Sequence, residues 1–454
     1  MTRADSYRSV KIVLVIITLT TFLLVKTYRV SEFKIQQSTN IENEVFSHTF
    51  EQIPNNSEVL IDENGIKLLN HESWFYFQYK TGKKFGVKSS DRIRDTIITL
   101  KTRSSDKIVK NLRIPVPVTA ISSNHIHELK SHFKNILHFI ESLSLDDRPS
   151  EILIYNLAPN SGNLKTSLSH FKKTTEHLNI TLKIRDFEFK HYPSHVKDLH
   201  NYSWKILIQM EVLAEFGALW WFDASAKPNE DKFGLLEHSI KSSVKNGFCQ
   251  TFLTNPSGFV PGIHTCKKML DFLPIVGRDN LEFWERTGKM QQATSSIKIL
   301  GGKNVNSHKI LGNSENGDSY NVPTMNPSYS GCAINVHIPA FMCALHESCI
   351  APYGSSQLIC QKDEDKQPDD CESLCHRYDQ SMDNLITGQF YNFSLEKYSI
   401  FARNGGIQVL ELERTSELAG FLVENASWFL ILLLAILVAG LYFWSTRFNK
   451  FSEN

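Results

Sequence analysis

The sequence predicts an α/β protein with a mostly parallel sheet and flanking helices. Two observations lead to this. Between about residues 110 and 230, short apolar runs alternate with longer stretches of helical periodicity, the pattern of βαβ units. In addition, the run in "LAEFGALWWFDASAKP", bounded by Gly217 and Pro228, ends abruptly on an acid, Asp223. Open α/β sheets bind ligands at the carboxyl ends of such strands.

The elements follow in order. "IPVPVTAISSNH" is an apolar strand that breaks into polar residues, and "HELKSHFKNILHFIESL" has apolar residues at helical spacing. "EILIYNLAPNSG" is a second strand with a Pro/Gly/Asn turn. "HFKKTTEHLN" leads into a third strand, "ITLKIRDFEF". "WKILIQMEVLAEFG" reads as an amphipathic-to-buried helix with Gly217 just past its end. The "LWWF" strand follows. Beyond Pro228 the pattern loosens: "GFCQTFL" suggests another strand, a Gly/Asn/Ser-rich loop follows Leu300, and "CHRYDQSMDNLI" places Asp379 and Asn384 at the start of a helix.

Both ends of the chain are apolar. Ile12–Val25 is flanked by Arg3, Arg8 and Lys11 before it and Lys26 after it. Its length also suits a signal peptide, but "LLVKTYRV" offers no small-residue cleavage site, so an uncleaved anchor is expected. Trp428–Trp444 carries no charge, and Arg447 and Lys450 follow it, as suits a membrane span rather than a glycolipid-anchor signal. The positive flanks put both tails in the cytosol and the region between them in the lumen or outside. The expected map is a cytosolic tail (1–9), an anchor (10–26), a stem and small N-terminal subdomain (27–109), a luminal α/β domain (110–400), a linker (401–427), a second span (428–445) and a tail (446–454). The expected location is a membrane of the secretory pathway: Golgi, endoplasmic reticulum or cell surface.

All eight cysteines lie between the apolar ends: Cys249, Cys266, Cys332, Cys343, Cys349, Cys360, Cys371 and Cys375. Only Cys371, Cys375 and His376 approach zinc spacing, so disulfides of an oxidising compartment are expected, with the connectivity open. Acceptor sequons at Asn55, Asn179, Asn201 and Asn392 agree with that compartment. Lysine and arginine number 49 against 48 acids, a net charge of +1. That balance, with no basic run carrying interleaved aromatics, gives no case for nucleic acid. The serine-hydrolase elbow, the P-loop, the dinucleotide-binding glycine motif and H-E-x-x-H are all missing from the sequence.

Several polar residues are candidates for a site. Asp223 could cap a turn, but a carboxylate that ends an apolar strand of a parallel sheet favours ligand contact. Ser225, two residues on, is neutral. Asn124 and His125 follow the first strand and could reach a nucleotide; turn chemistry also accounts for Asn124. Asp379 could act as an acid or cap its helix. Lys205, near a helix N-terminus, is either a ligand contact or an exposed lysine.

The order of a lysine on a long helix, an apolar aromatic strand and D-A-x resembles the donor-binding core of A-type glycosyltransferases, especially the glycogenin-like group. The matching elements are Lys205, "LWWF" and Asp223-Ala224-Ser225; Asp379-Gln380 with Asn384 is similar to the later D-Q-x-x-x-N element, at altered spacing. The blocks "VTAISSNH", "ILIYNLAP", "YPSHVKDLHNYSWK", "EFGALWWFDAS", "CALHESCIAP" and "HRYDQS" are similar to a nematode-type family of uncharacterised, membrane-anchored, glycosyltransferase-like secretory-pathway proteins. The resemblance spans roughly His125 to Asn392. It implies a nucleotide-sugar donor and a glycan, protein or lipid acceptor, with Asp223 and Asp379 catalytic and Lys205, Asn124, His125 and Ser225 on the donor side. The family pattern has a second acid where Ser225 stands, and no histidine follows His376 as a third metal ligand. Weak or no dependence on manganese is therefore expected, with Asp223 at most a metal ligand. A non-catalytic glycan- or partner-binding protein of the same fold is the alternative, favoured by the missing second acid.

Overall fold

The computed structural model describes residues 58–61, 67–71, 74–78, 84–88, 90–102, 114–122, 125–158, 163–257, 259–261, 264–273, 289–300, 329–355 and 376–412. The chain divides after Asn55 into two compact units, and every described residue belongs to the second. The two apolar end segments, Asn124, Asn55, Cys360, Cys371 and Cys375 lie outside the described residues. Among the described residues no helix is long and apolar enough to cross a membrane.

Four strands, β1 (Glu58–Ile61), β2 (Lys67–His71), β3 (Trp74–Gln78) and β4 (Lys84–Lys88), form an antiparallel meander in chain order. Helix α1 (Asp91–Thr102) follows. The main sheet starts at β5 (Val116–Ile121) and continues through α2 (Ile126–Ser142), β6 (Glu151–Asn156), α3 (Asn163–His177) and β7 (Thr181–Asp186). Strands β5, β6 and β7 pair in parallel, as the alternating pattern requires.

Helix α4 (Ser203–Phe216) then carries the chain back across the sheet to β8 (Ala218–Phe222), which pairs in parallel with the other side of β5. Twelve consecutive residues of α4, Ser203–Ala214, are buried, so it is a core helix apolar on nearly every side. Gly217 ends it at φ +80°, donating its N–H to Leu213 O at 2.8 Å. A side chain there would be strained, which explains a glycine between a buried helix and a buried strand. A bidentate ion pair, from Arg92 Nε and Nη2 to Glu211 at 2.7 and 2.8 Å, fastens α1 to α4; the Tyr192 hydroxyl donates to the same carboxylate.

After β8 come β9 (Ala226–Pro228), α5 (Phe233–Asn246), β10 (Gln250–Phe252) and β11 (Ser295–Ile299). The six-stranded sheet has the order β10-β11-β8-β5-β6-β7, with β11 antiparallel to both of its neighbours. The strand expected in "GFCQTFL" is β10. The sequence reading had no place for β11, nor for the small pair formed by β9 and β12 (Leu410–Leu412). Between β5 and β8 the strand order reverses, a topological switch point. Helices α6 (Ile338–Ala344) and α7 (Tyr378–Phe390) pack with α4 on one face of the sheet.

Cys249 pairs with Cys332, Cys343 pairs with Cys349, and Cys266 is also disulfide-bonded; no described cysteine is free. The Cys249–Cys332 bridge closes a loop of 83 residues, and chain entropy gives such a closure about 4.5 kcal/mol. Replacing both residues by alanine should lower stability by about that amount, as measured by denaturant unfolding. A loss no larger than about 2 kcal/mol, the value for a six-residue loop like Cys343–Cys349, would contradict this.

Candidate functional site

The switch point places the carboxyl ends of β5 and β8 side by side. Asp223 immediately follows β8, held by its own N–H to Thr294 O at 2.7 Å. The Trp221 indole N–H donates to Asp223 Oδ1 at 2.7 Å. The Lys205 ammonium lies 3.0 Å from Oδ1 and 3.3 Å from Oδ2. The Asp223 side chain keeps 25% exposure, so solvent or a ligand can reach it.

Lys205 reaches this point from the first turn of α4. Its side chain is only 3% exposed and its ammonium also lies 3.0 Å from Asp379 Oδ2. It is therefore buried and bridges two carboxylates. Burial alone would lower its pKa, but the charges of Asp223 and Asp379 reverse that and hold it well above the ordinary lysine range. Asp379, in the first turn of α7, is buried. That burial pushes its carboxyl upward, Lys205 opposes the shift, and Asp223 adds to it.

One turn further along α7, Asp383 meets a second buried lysine. Lys298, in β11, donates to Asp383 Oδ1 and Oδ2 at 3.0 and 3.1 Å and to Gln250 Oε1 at 3.0 Å. Gln250 Nε2 donates back to Asp383 at 2.9 Å. Burial lowers the Lys298 pKa, with Asp383 working against that shift. Two ammonium groups thus face three carboxylates, leaving one negative charge in surplus. Bulky residues at positive φ introduce both contributing helices: Tyr202 at +56° before α4 and Tyr378 at +38° opening α7. Strain of this kind persists where the surrounding structure fixes the backbone, often at sites.

The expected candidates separate as follows. Asp223, Lys205 and Asp379 come together. Ser225 is buried in the turn after β8. His125 stands at the start of α2, its Nδ1 3.2 Å from Glu128 Oε2. Trp221 is buried but also donates to the site acid. The sequence reading missed Lys298, Asp383 and Gln250. The available signal was a lone lysine inside the apolar run "SSIKIL", since a fully buried lysine needs a partner. No group of three His, Cys, Asp or Glu residues suited to a metal occurs among the described residues.

The sequons also separate. Asn179 (φ +59°) and Asn392 (φ +51°) are exposed in left-handed turns. Asn201 is placed differently from the other two. It is 4% exposed, donates Nδ2 to His195 O at 2.7 Å and accepts from Ser203 N at 2.9 Å. A glycan on that nitrogen would remove a buried hydrogen bond and has no room. In a glycosylated chain, Asn→Gln at 179 or 392 should raise electrophoretic mobility while the change at 201 does not; a mobility gain at 201 would contradict the packing.

A family model described as "Protein of unknown function (DUF1647)" matches residues 77–210. No curated protein matches the chain. Among solved structures, the galactosyltransferase LgtC, in complex with donor and acceptor sugar analogues, is 8% identical with a TM-score of 0.25, over 40% of this chain and 57% of that one. Mouse xyloside xylosyltransferase 1, apo form, is 9% identical with a TM-score of 0.30, over 62% and 82%. This chain thus spans little more than half the length of the first. Likeness of this degree assigns no residue a role.

Proposed function

We propose that the protein is a membrane-anchored, secretory-pathway glycosyltransferase that moves a sugar from a nucleotide-diphosphate donor to a glycan, protein or lipid acceptor. The observation that carries this reading is a part-exposed carboxylate, Asp223, fixed by Lys205 and Trp221 at the switch point of a mainly parallel sheet. A carboxylate held this way accepts hydrogen bonds from the hydroxyls of a bound sugar, and its orientation is set before the ligand arrives. Asp379 shares the Lys205 ammonium and stands beside the same site as a group able to take or give a proton. The apolar end segments and the sequons support two anchors with the central region in the lumen.

A divalent ion fits poorly here. Both Asp223 oxygens already accept from Lys205 or Trp221, Ser225 adds no charge, and a buried ammonium 3.0 Å away repels a cation. Donor turnover by the purified full-length chain should therefore survive chelator unchanged. Tight stoichiometric manganese binding, lost together with turnover on chelation, would overturn this. The second reading, a binding protein without transfer, is favoured by Ser225 standing where a second acid would be. Donor hydrolysis separates the two, because a binding protein should hold a sugar nucleotide without releasing the nucleoside diphosphate.

A further inference from the structure

The buried Lys298–Asp383–Gln250 cluster has no part in the chemistry proposed above, and its cost needs a reason. Desolvating an ion pair often offsets the attraction gained, and well-packed apolar residues would hold a helix at least as firmly; the best-attested return is registry. Helix α7 has a specific registry problem. Asp379 and Asp383 lie one turn apart, so a slide of about 5.4 Å would offer Lys205 the wrong carboxylate. Other polar residues of α7 bond to loops: Gln380 to Ser257, Ser381 to His264 O, and Asn384 to the backbone of Gln291. Asp383 and Thr387 instead bond into the sheet, through Lys298 of β11 and Gln250 of β10. Strand β11 is the direct neighbour of β8, with Lys298 opposite Leu219 and Ser295 opposite Phe222, the residue before Asp223.

We propose that Lys298 is a positioning residue: by claiming Asp383 it sets the register of α7 against the strand that carries Asp223, so that Asp379, and not Asp383, shares Lys205 with Asp223. The inference rests on the reading of Asp379 as a working group of the transferase, but its test does not need turnover. The Trp221 indole N–H bonds to Asp223 and so reports the cluster. In the full-length chain with nitrogen-15 in its seven tryptophans, that signal is assigned by its loss in Trp221→Phe.

The variant Lys298→Met with Asp383→Leu removes one positive and one negative charge together, so the net charge of the site stays the same. The expected result is a folded protein whose Trp221 indole signal shifts by more than its linewidth. In Lys298→Gln with Asp383→Asn, which keeps hydrogen bonds, the signal should return toward the unmodified position. A folded Met/Leu variant with the signal unmoved would overturn the proposal and leave the cluster a stability element. If that pair does not fold, Lys298→Met with Asp383→Asn breaks the same ion pair without stranding a charge, since Gln250 Nε2 can still donate to the amide oxygen at 383, and is held to the same two outcomes. If the unmodified chain turns over no donor, the transferase reading fails while the indole comparison still decides this one.

Discussion

Asp223→Asn should reduce donor turnover by about one to two orders of magnitude while leaving the fold intact. The change is isosteric and removes one negative charge at the carboxyl end of β8. The Trp221 indole N–H can still donate to the amide oxygen, and Lys205 keeps Asp379 at 3.0 Å. The loss is in ligand contact: hydrogen bonds to a charged group are worth about 1.5–3 kcal/mol, or about 10- to 150-fold in turnover or affinity. The surplus negative charge of the cluster disappears as well, so an asparagine there cannot balance positive charge developing on a sugar ring. Initial rates of donor hydrolysis, paired with a thermal melt of the same sample, measure the two effects separately. Turnover within a factor of two of the unmodified chain would remove Asp223 from the mechanism.

The βαβ core was legible because period and composition change sharply along it, and its polar breaks coincide with strand ends. Gly217 was legible for the same reason, since a glycine between two apolar runs has few other uses. Strand β11 was not. "SSIKI" is short and mixed, and it becomes a strand only because the open edge of β8 is there to pair with it. The site was half legible. Asp223 stands out because it interrupts an apolar run, and Lys205 could be placed near the start of its helix. Whether that lysine met solvent, ligand or an acid depended on α7, which folds back from more than 170 positions away in the chain. Asp383 was not legible for the same reason: its partner lies 85 residues earlier in a strand the sequence does not announce.

Removing the central cation should lower stability strongly and in a pH-dependent way. Lys205→Met keeps the length and the apolar stem but leaves Asp379 buried without its counter-charge, and breaking a buried ion pair from one side costs about 3–5 kcal/mol. Asp223 loses its partner too, although its exposure lets water take up part of that charge. The expected deficit depends on pH, and its sign follows from the groups involved. Burial already raises the Asp379 pKa, and Lys205 is what pulls it down. Without Lys205 the folded-state value climbs further above the unfolded one, so the folded variant binds a proton that the unfolded chain gives up. Its stability then grows as pH falls through the folded value and is lost as pH rises through it. The gap between variant and unmodified chain should be widest near about pH 7.5 and clearly narrower near about pH 5. Paired denaturant titrations at the two values test this, because other titrating groups are common to both chains and cancel in the difference. A deficit below about 1 kcal/mol, the range of an exposed ion pair, would mean that Lys205 is not the buried hub of the site. A large deficit that does not change with pH would place the unpaired charge somewhere other than Asp379.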